Sequence, residues 1–269
     1  MRIGNQEFHT KEKTYIMGIL NMTPDSFSDG GKIKGIDAAL YRAEEMIKDG
    51  AAILDIGGES TRPGYTPVSE EEEVERILPV IEAIKSRIEV PISVDTYKSN
   101  VAKEAIMAGV ELVNDIWGLK ADAQMAELIA KHQVACCLMH NRKGTEYNNF
   151  WQDVLTDLEE SVSIAKAAGI AEEKIILDPG VGFAKNYEQN LEVIRNLGKI
   201  HAMGYPILLG TSRKSVIGLT LDLPSDERVE GTLVTTVEAV RQGASFVRVH
   251  DVKENARAIK MAQAIYDLR

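Results

Sequence analysis

The sequence contains no run of eighteen apolar residues, so no segment reads as a helix able to cross a bilayer. Its opening stretch, MRIGNQEFHTKEK, has no apolar core of the kind a secretion signal needs, and no signal peptide is expected. Basic residues are in deficit. Lys plus Arg number 31 against 41 Asp plus Glu, and a formal net charge of −10 argues against a general nucleic-acid surface. An anionic small ligand stays admissible, because a few local cations can define a pocket inside an acidic protein. There are only two cysteines, Cys136 and Cys137, adjacent in an apolar run. On a strand they point to opposite faces, so no bond between them is expected, and a reduced cytoplasmic protein is the plain reading. Neither GxGxxG, GxxxxGK nor HExxH occurs, and the five histidines are scattered, so a dedicated protein metal cage is not expected.

What is present is one pattern repeated. A short apolar run ends in polar or glycine residues, and an amphipathic segment follows. The runs are YIMGILN, AAILDIGG, PISVDT, ELVNDIWG, VACCLMH, KIILDPG, PILLGTS and SFVRVHD. Helical spacing marks Glu70 to Arg87, Asn100 to Ala108, Ala121 to Lys131 and Val154 to Ala168. Near-continuous apolar strands imply burial on both faces, as parallel sheets require. Strand alternating with helix over about 250 residues predicts a (β/α)8 TIM barrel in the α/β class, with a doubly wound open sheet as the alternative. The first ten or so residues fall outside the repeat and are expected to form a short hairpin under the barrel. No linker divides the chain, so residues 1–269 are read as one domain.

Catalytic groups of such barrels sit at the C-terminal strand ends. The polar residues Asn21, Asp55, Asp95, Asn114, His140, Asp178, Ser212 and His250 collect there. In SFVRVHD, period-two geometry puts Arg248 and His250 on one face and Val247 and Val249 on the other. The valines suit packing on helices, so Arg248 should face the mouth, either serving function or paired with Asp251 or another carboxylate. GTSRKS places Ser212, Arg213, Lys214 and Ser215 where the seventh strand meets a helix, a common anion seat in these barrels. Asp95, Asn114 and Asp178, from the third, fourth and sixth strands, suit a flat ligand edge rich in N–H donors, or else orient loops.

These signatures, NMTPDSFSDGG, DIGGESTRPG, SVDTYK, NDIWG, LDPGVGFAK, GTSRKS and VRVHD, run nearly end to end. Together they resemble the dihydropteroate synthase family, which condenses a dihydropterin pyrophosphate with 4-aminobenzoate in folate synthesis. The resemblance implies that Asn21, Arg248 and His250 hold pyrophosphate, with Mg2+ bridging it and the Asn21 oxygen. It implies that Asp95, Asn114 and Asp178 clasp the pterin, with Lys214, Ile116, Met139 and Gly182 also on substrate. Phe27 in the first loop is expected to cover the aminobenzoate. Thr61, Arg62 and Pro63 in the second loop come over the same place, and Phe183 and Ser215 complete its wall. A homodimer with small-molecule substrates, and with neither nucleic acid nor membrane as partner, is expected. Pterin-dependent methyltransferases of the same barrel type are the alternative, and a catalytically silent pterin-binding paralogue is a second one. The stretch NRKGTEYNN reads as a surface loop, and His140 as a strand cap.

Overall fold

In the computed structural model, which describes residues 1–22, 31–59 and 67–266, the apolar runs become the staves of a parallel barrel. A two-stranded antiparallel hairpin comes first, β1 (Arg2–Ile3) and β2 (Gln6–Glu7). The barrel strands are β3 (Tyr15–Asn21), β4 (Ala51–Gly57), β5 (Ile92–Asp95), β6 (Leu112–Asp115), β7 (Ala135–Met139), β8 (Ile175–Asp178), β9 (Leu208–Leu209) and β10 (Phe246–Val249). Their order is β8-β7-β6-β5-β4-β3-β10-β9, all pairs parallel. A bridge between Leu177 and Ile207, with Leu177 N–H donating to Pro206 O at 2.9 Å, brings β8 to β9 and closes the ring. This is the expected TIM barrel.

The helices are α1 (Gly31–Asp49), α2 (Glu70–Lys85), α3 (Ser99–Met107), α4 (Met125–His132), α5 (Phe150–Ala167), α6 (Tyr187–Arg195), α7 (Gly198–His201), α8 (Ser215–Leu221), α9 (Val229–Arg241) and α10 (Val252–Tyr266). Local chemistry sets their ends. Ser69 caps α2 by accepting from Glu72 N–H, and four glutamates in the first turn suit the positive end of the helix dipole. Asn186 and Gln189 form a reciprocal capping box on α6. Two starts differ from the periodicity. The helix expected from Ala121 begins at Met125, because Asp122 is taken by the backbone: Oδ1 accepts Gln124 N–H at 2.9 Å and Oδ2 accepts Ser99 N–H at 2.8 Å. The helix expected from Val154 begins at Phe150, where Asn149 caps it through Gln152 N–H. Among the described residues no helix is long and apolar enough to cross a membrane.

Alternation along the strands makes two cores. Outward side chains such as Leu20, Leu54, Val94, Val113, Leu138, Leu177, Val247 and Val249 pack under the helices. Inward ones, Met17, Ile53, Leu112, Ala135, Cys137, Ile176, Leu208 and Phe246, fill the lower bore, which Ile3 and Phe8 of the hairpin segment plug from below. Phe8 meets Tyr15 edge-on with ring centroids 4.9 Å apart and lies 5.5 Å from Phe246. Cys136 joins the outer core and Cys137 the inner one, both free and fully buried, so their adjacency makes no bond.

Candidate active site

The period-two alternation that fills the lower bore with apolar atoms turns polar one layer higher. Two residues beyond Ile53, Leu112, Ile176 and Phe246 on the same inward faces stand Asp55, Asn114, Asp178 and Arg248, and Asp95 follows Ser93 on β5. Arg248 is the hub. Its Nε donates to Asp55 Oδ2 and its Nη2 to Asp95 Oδ2, each at 2.5 Å. Asn114 Nδ2 reaches the same Asp55 oxygen at 3.5 Å. Arg248 Nη1 bonds no described residue. A half-buried guanidinium gains from such charge-assisted partners, and of the carboxylates expected to pair with Arg248 it is Asp55 and Asp95 that do so. Asp251 is not among them. It lies on the outward face with the valines, in a two-bonded pair with Arg213 at 3.0 and 2.5 Å.

Three buried oxygens in this layer have no hydrogen-bond partner among the described residues: Asp55 Oδ1, Asp95 Oδ1 and Ser93 Oγ. Orphaned buried acceptors are uncommon, and each costs about 1–3 kcal/mol if left unmet. Burial pushes Asp95 above the ordinary carboxylate range, against the pull of Arg248 and with Asp55 adding to the rise. Burial also raises Asp178, opposed by Lys214 and by Gly180 N–H, which donates to Asp178 Oδ1 at 2.7 Å. Arg248 rises despite burial, because Asp55 and Asp95 outweigh it.

Lys214, the N-cap residue of α8, is pushed down to about 8 by burial, with Asp178 working the other way. Its ammonium donates to Val181 O at 2.6 Å and lies 4.9 Å over the Phe183 ring. Gly210, after β9, opens the space between these groups. A Cβ there would sit 3.7 Å from Asp178 Oδ2, 3.8 Å from Lys214 Nζ and 3.9 Å from Arg248 Cβ. Glycine thus leaves room where a carboxylate and two cationic side chains converge.

The other expected residues fall around this layer. Ile116 and Met139 are buried but belong to neither core, and with Ile19 they supply apolar atoms at the height of the charges. Gly182 N–H donates to Asn190 Oδ1 at 2.7 Å, Phe183 is half-buried, and Ser215 is exposed at the start of α8. His250 continues the inward face of Arg248, with Nδ1 3.0 Å from Ser212 Oγ. Asn21 closes β3 opposite Gly57, its amide free of hydrogen bonds to described residues. Phe27, Thr61, Arg62 and Pro63 lie outside the described residues.

Three members were missed in the sequence. Asp55 was visible as a strand-end carboxylate, and the demand of an inward-facing arginine for partners on its own face was the signal that could have selected it. Ser93 had the same parity signal. Lys185 is buried with its Nζ 2.7 Å from His140 Nδ1, and His140 Nε2 is 3.0 Å from Asp157 Oδ2. His140 is therefore no simple strand cap, and its partners are too far away in sequence for spacing to reveal.

A profile of the pterin binding enzymes matches residues 17–250. A curated dihydropteroate synthase of Clostridium beijerinckii is 60% identical over 98% of this chain and 99% of its own length. A crystal structure of the dihydropteroate synthase of Clostridium difficile in the presence of pteroic acid superposes with TM-score 0.94 at 50% identity, covering 97% of this chain and 99% of the other. One from Xanthomonas albilineans with 4-aminobenzoic acid has TM-score 0.90 at 37% identity, covering 96% and 94%. With carboxylates and cationic side chains gathered in one layer of the bore and relatives of this identity over nearly the full length, the chain belongs to the pterin binding enzymes, and within them to the dihydropteroate synthases.

Proposed function

We propose that the mouth of this barrel runs the reaction of its family, joining 6-hydroxymethyl-7,8-dihydropterin pyrophosphate to 4-aminobenzoate and releasing pyrophosphate. The observation that carries this reading is the set of buried acceptors without donors, Asp55 Oδ1, Asp95 Oδ1 and Ser93 Oγ, beside Asn114 and Asp178. The 2-aminopyrimidinone edge of a pterin offers the N–H donors such a layer lacks, with Ile116 and Met139 against its faces and Lys214 released from Val181 O to reach it.

Charge in the layer suits the bond that breaks. Asp55, Asp95 and Asp178 face Arg248 and Lys214, so carboxyl groups outnumber cationic side chains in the bore by three to two. Positive charge developing on the pterin methylene is favoured there, which supports a dissociative, cation-like path over direct displacement. The attacking aromatic amine is neutral near pH 7 and needs no strong base. The departing pyrophosphate is seated toward the rim, by the Nη1 side of Arg248, His250 and Asn21.

Magnesium fits this donor set. Among the described residues no group of three or more His, Cys, Asp or Glu forms a cage, and Mg2+ commonly takes one or two protein oxygens beside phosphate and water. The Asn21 amide oxygen would hold it, and the ion would neutralise charge on the leaving group. Aminobenzoate takes the outer position against Phe183 and Ser215, with Phe27, Thr61, Arg62 and Pro63 assigned there from the sequence. That a relative was crystallised with 4-aminobenzoic acid and another, from Yersinia pestis, with a sulfonamide supports this wall and a sulfonamide-sensitive site.

A homodimer is supported by exposed apolar side chains on the last three helices: Leu219, Leu221, Val234, Met261 and Ile265. A reducing cytoplasm is supported by the two buried free thiols. The deciding experiment is turnover of the pterin pyrophosphate and 4-aminobenzoate with Mg2+, scored for dihydropteroate. Methyl transfer to a corrinoid protein with no dihydropteroate formed would restore the methyltransferase alternative.

A further inference from the structure

We infer that Lys185 is a positioning residue for pterin binding, holding the turn at residues 179–184 through an Asp157–His140–Lys185 relay so that Asp178 and Phe183 face the ligand. The inference rests on the pterin-clasp reading above.

Lys185 is 8% exposed and ion-pairs with no carboxylate among the described residues. Its three ammonium protons have three acceptors instead: His140 Nδ1 at 2.7 Å, Gly180 O at 3.1 Å and Phe183 O at 3.2 Å. With all its donors spent behind the turn, it has none left for substrate. Burial lowers it to about 7, partly offset by the charge of Asp178. An ammonium buried among neutral acceptors is costly, and an apolar side chain would fill the same volume without that cost. Packing alone does not account for a lysine here.

What the lysine holds is a turn whose own backbone makes one internal hydrogen bond, Phe183 N–H to Gly180 O at 3.1 Å, with Gly182 N–H taken by Asn190. Gly180 and Gly182 take left-handed φ values of 69° and 85°, and Ala184, which has a Cβ, takes 48°. A Cβ on Gly180 would fall 2.0 Å from His140 O. Four carbonyls of the turn are drawn by side chains from outside it: Gly180 O and Phe183 O by Lys185, Val181 O by Lys214, and Ala184 O by the Tyr147 hydroxyl at 2.8 Å. With those carbonyls turned away, Gly180 N–H faces Asp178 Oδ1 and fixes its carboxylate. Once Lys214 leaves Val181 O for the pterin, Lys185 and Tyr147 are the side chains still gripping these carbonyls.

The relay behind Lys185 is internally consistent. His140 is fully buried, and burial keeps it neutral by lowering it to about 4. Its Nδ1 accepts from the ammonium, so its Nε2–H donates to Asp157 Oδ2, which also takes Arg142 Nε at 3.1 Å. His140 N–H donates in turn to Asp178 O at 2.8 Å, tying the relay to the strand that carries the clasp.

The test uses the full chain with Lys185→Met, which keeps length and removes charge. Pterin affinity is read with 6-hydroxymethylpterin by calorimetry, alongside the melting temperature. The expected result is a melting temperature equal to or above that of the unsubstituted chain, with Kd weakened about tenfold or more, the scale of losing a support behind a binding group. Asp157→Asn should weaken Kd less, and the double variant should bind no worse than Lys185→Met alone, because both act through one relay. A folded Lys185→Met variant with Kd within twofold of the unsubstituted chain overturns the inference, as do strictly additive effects. If Lys185→Met does not fold, Asp157→Asn decides, and an unchanged Kd overturns the inference. An unsubstituted chain that does not bind the pterin removes the clasp reading itself, a result distinct from either.

Discussion

The lower and upper halves of the bore are built from the same strands, one pleat apart, and they behave as opposites. Below, Met17, Ile53, Leu112, Ile176, Leu208 and Phe246 interlock with the aromatic plug and leave no polar group to satisfy. Above, Asp55, Asp95, Asp178, Arg248 and Lys214 are crowded into the same width, with oxygens left unpartnered. The lower half repays burial directly, at about 1.5–3 kcal/mol for each large side chain. The upper half costs stability and is tolerable because the lower half and the helix-facing core are sound. Ligand binding therefore belongs to the layer that folding favours least.

Four substitutions test this division, from the largest expected effect down. Arg248→Ala removes the counter-charge of two buried carboxylates. It should cost about 3–5 kcal/mol of folding free energy in denaturant titration and abolish measurable binding of the pterin pyrophosphate in calorimetry. Selective loss of aminobenzoate affinity alone would move Arg248 out of the pyrophosphate seat. Phe246→Ala, in the lower half, should cost about 3–5 kcal/mol of stability while the pterin Kd of the folded protein stays put. A large change in Kd there would show that the two halves are not separable. Asp178→Asn keeps shape and removes one charge, so pterin binding should weaken by about 1.5–3 kcal/mol in calorimetry with little movement of the unfolding midpoint. Ile53→Val should cost about 0.5–1.5 kcal/mol of stability, seen in the midpoint alone.

The barrel was legible because its signal is local: each apolar run is a strand buried on both faces, and each segment between them carries helical spacing. The upper bore was legible in part for the same reason, since parity along SFVRVHD placed Arg248 inward before any contact was known. That parity also contained a correction left unused, because Asp251 is an odd step from Arg248 and is thereby excluded as its partner. What stayed hidden depends on contacts between distant segments. Lys185 meets His140 beside the ends of the neighbouring strands β7 and β8, and nothing in LDPGVGFAK distinguishes a buried lysine from an exposed one. Asp122 delayed the start of a predicted helix because its carboxylate is taken by Ser99, the first residue of another helix. Phe27 and Arg62 rest on their motifs alone, since both lie outside the described residues.

The aromatic floor ties together parts of the chain made at very different times. Phe8 and Tyr15 are made long before Phe246, yet the three rings close one seal. Until the last stave is synthesised, the growing ring stays open along one edge with its greasy lining accessible to water. The seal therefore cannot form before β10 has been made, and the inner faces of the earlier staves wait on it.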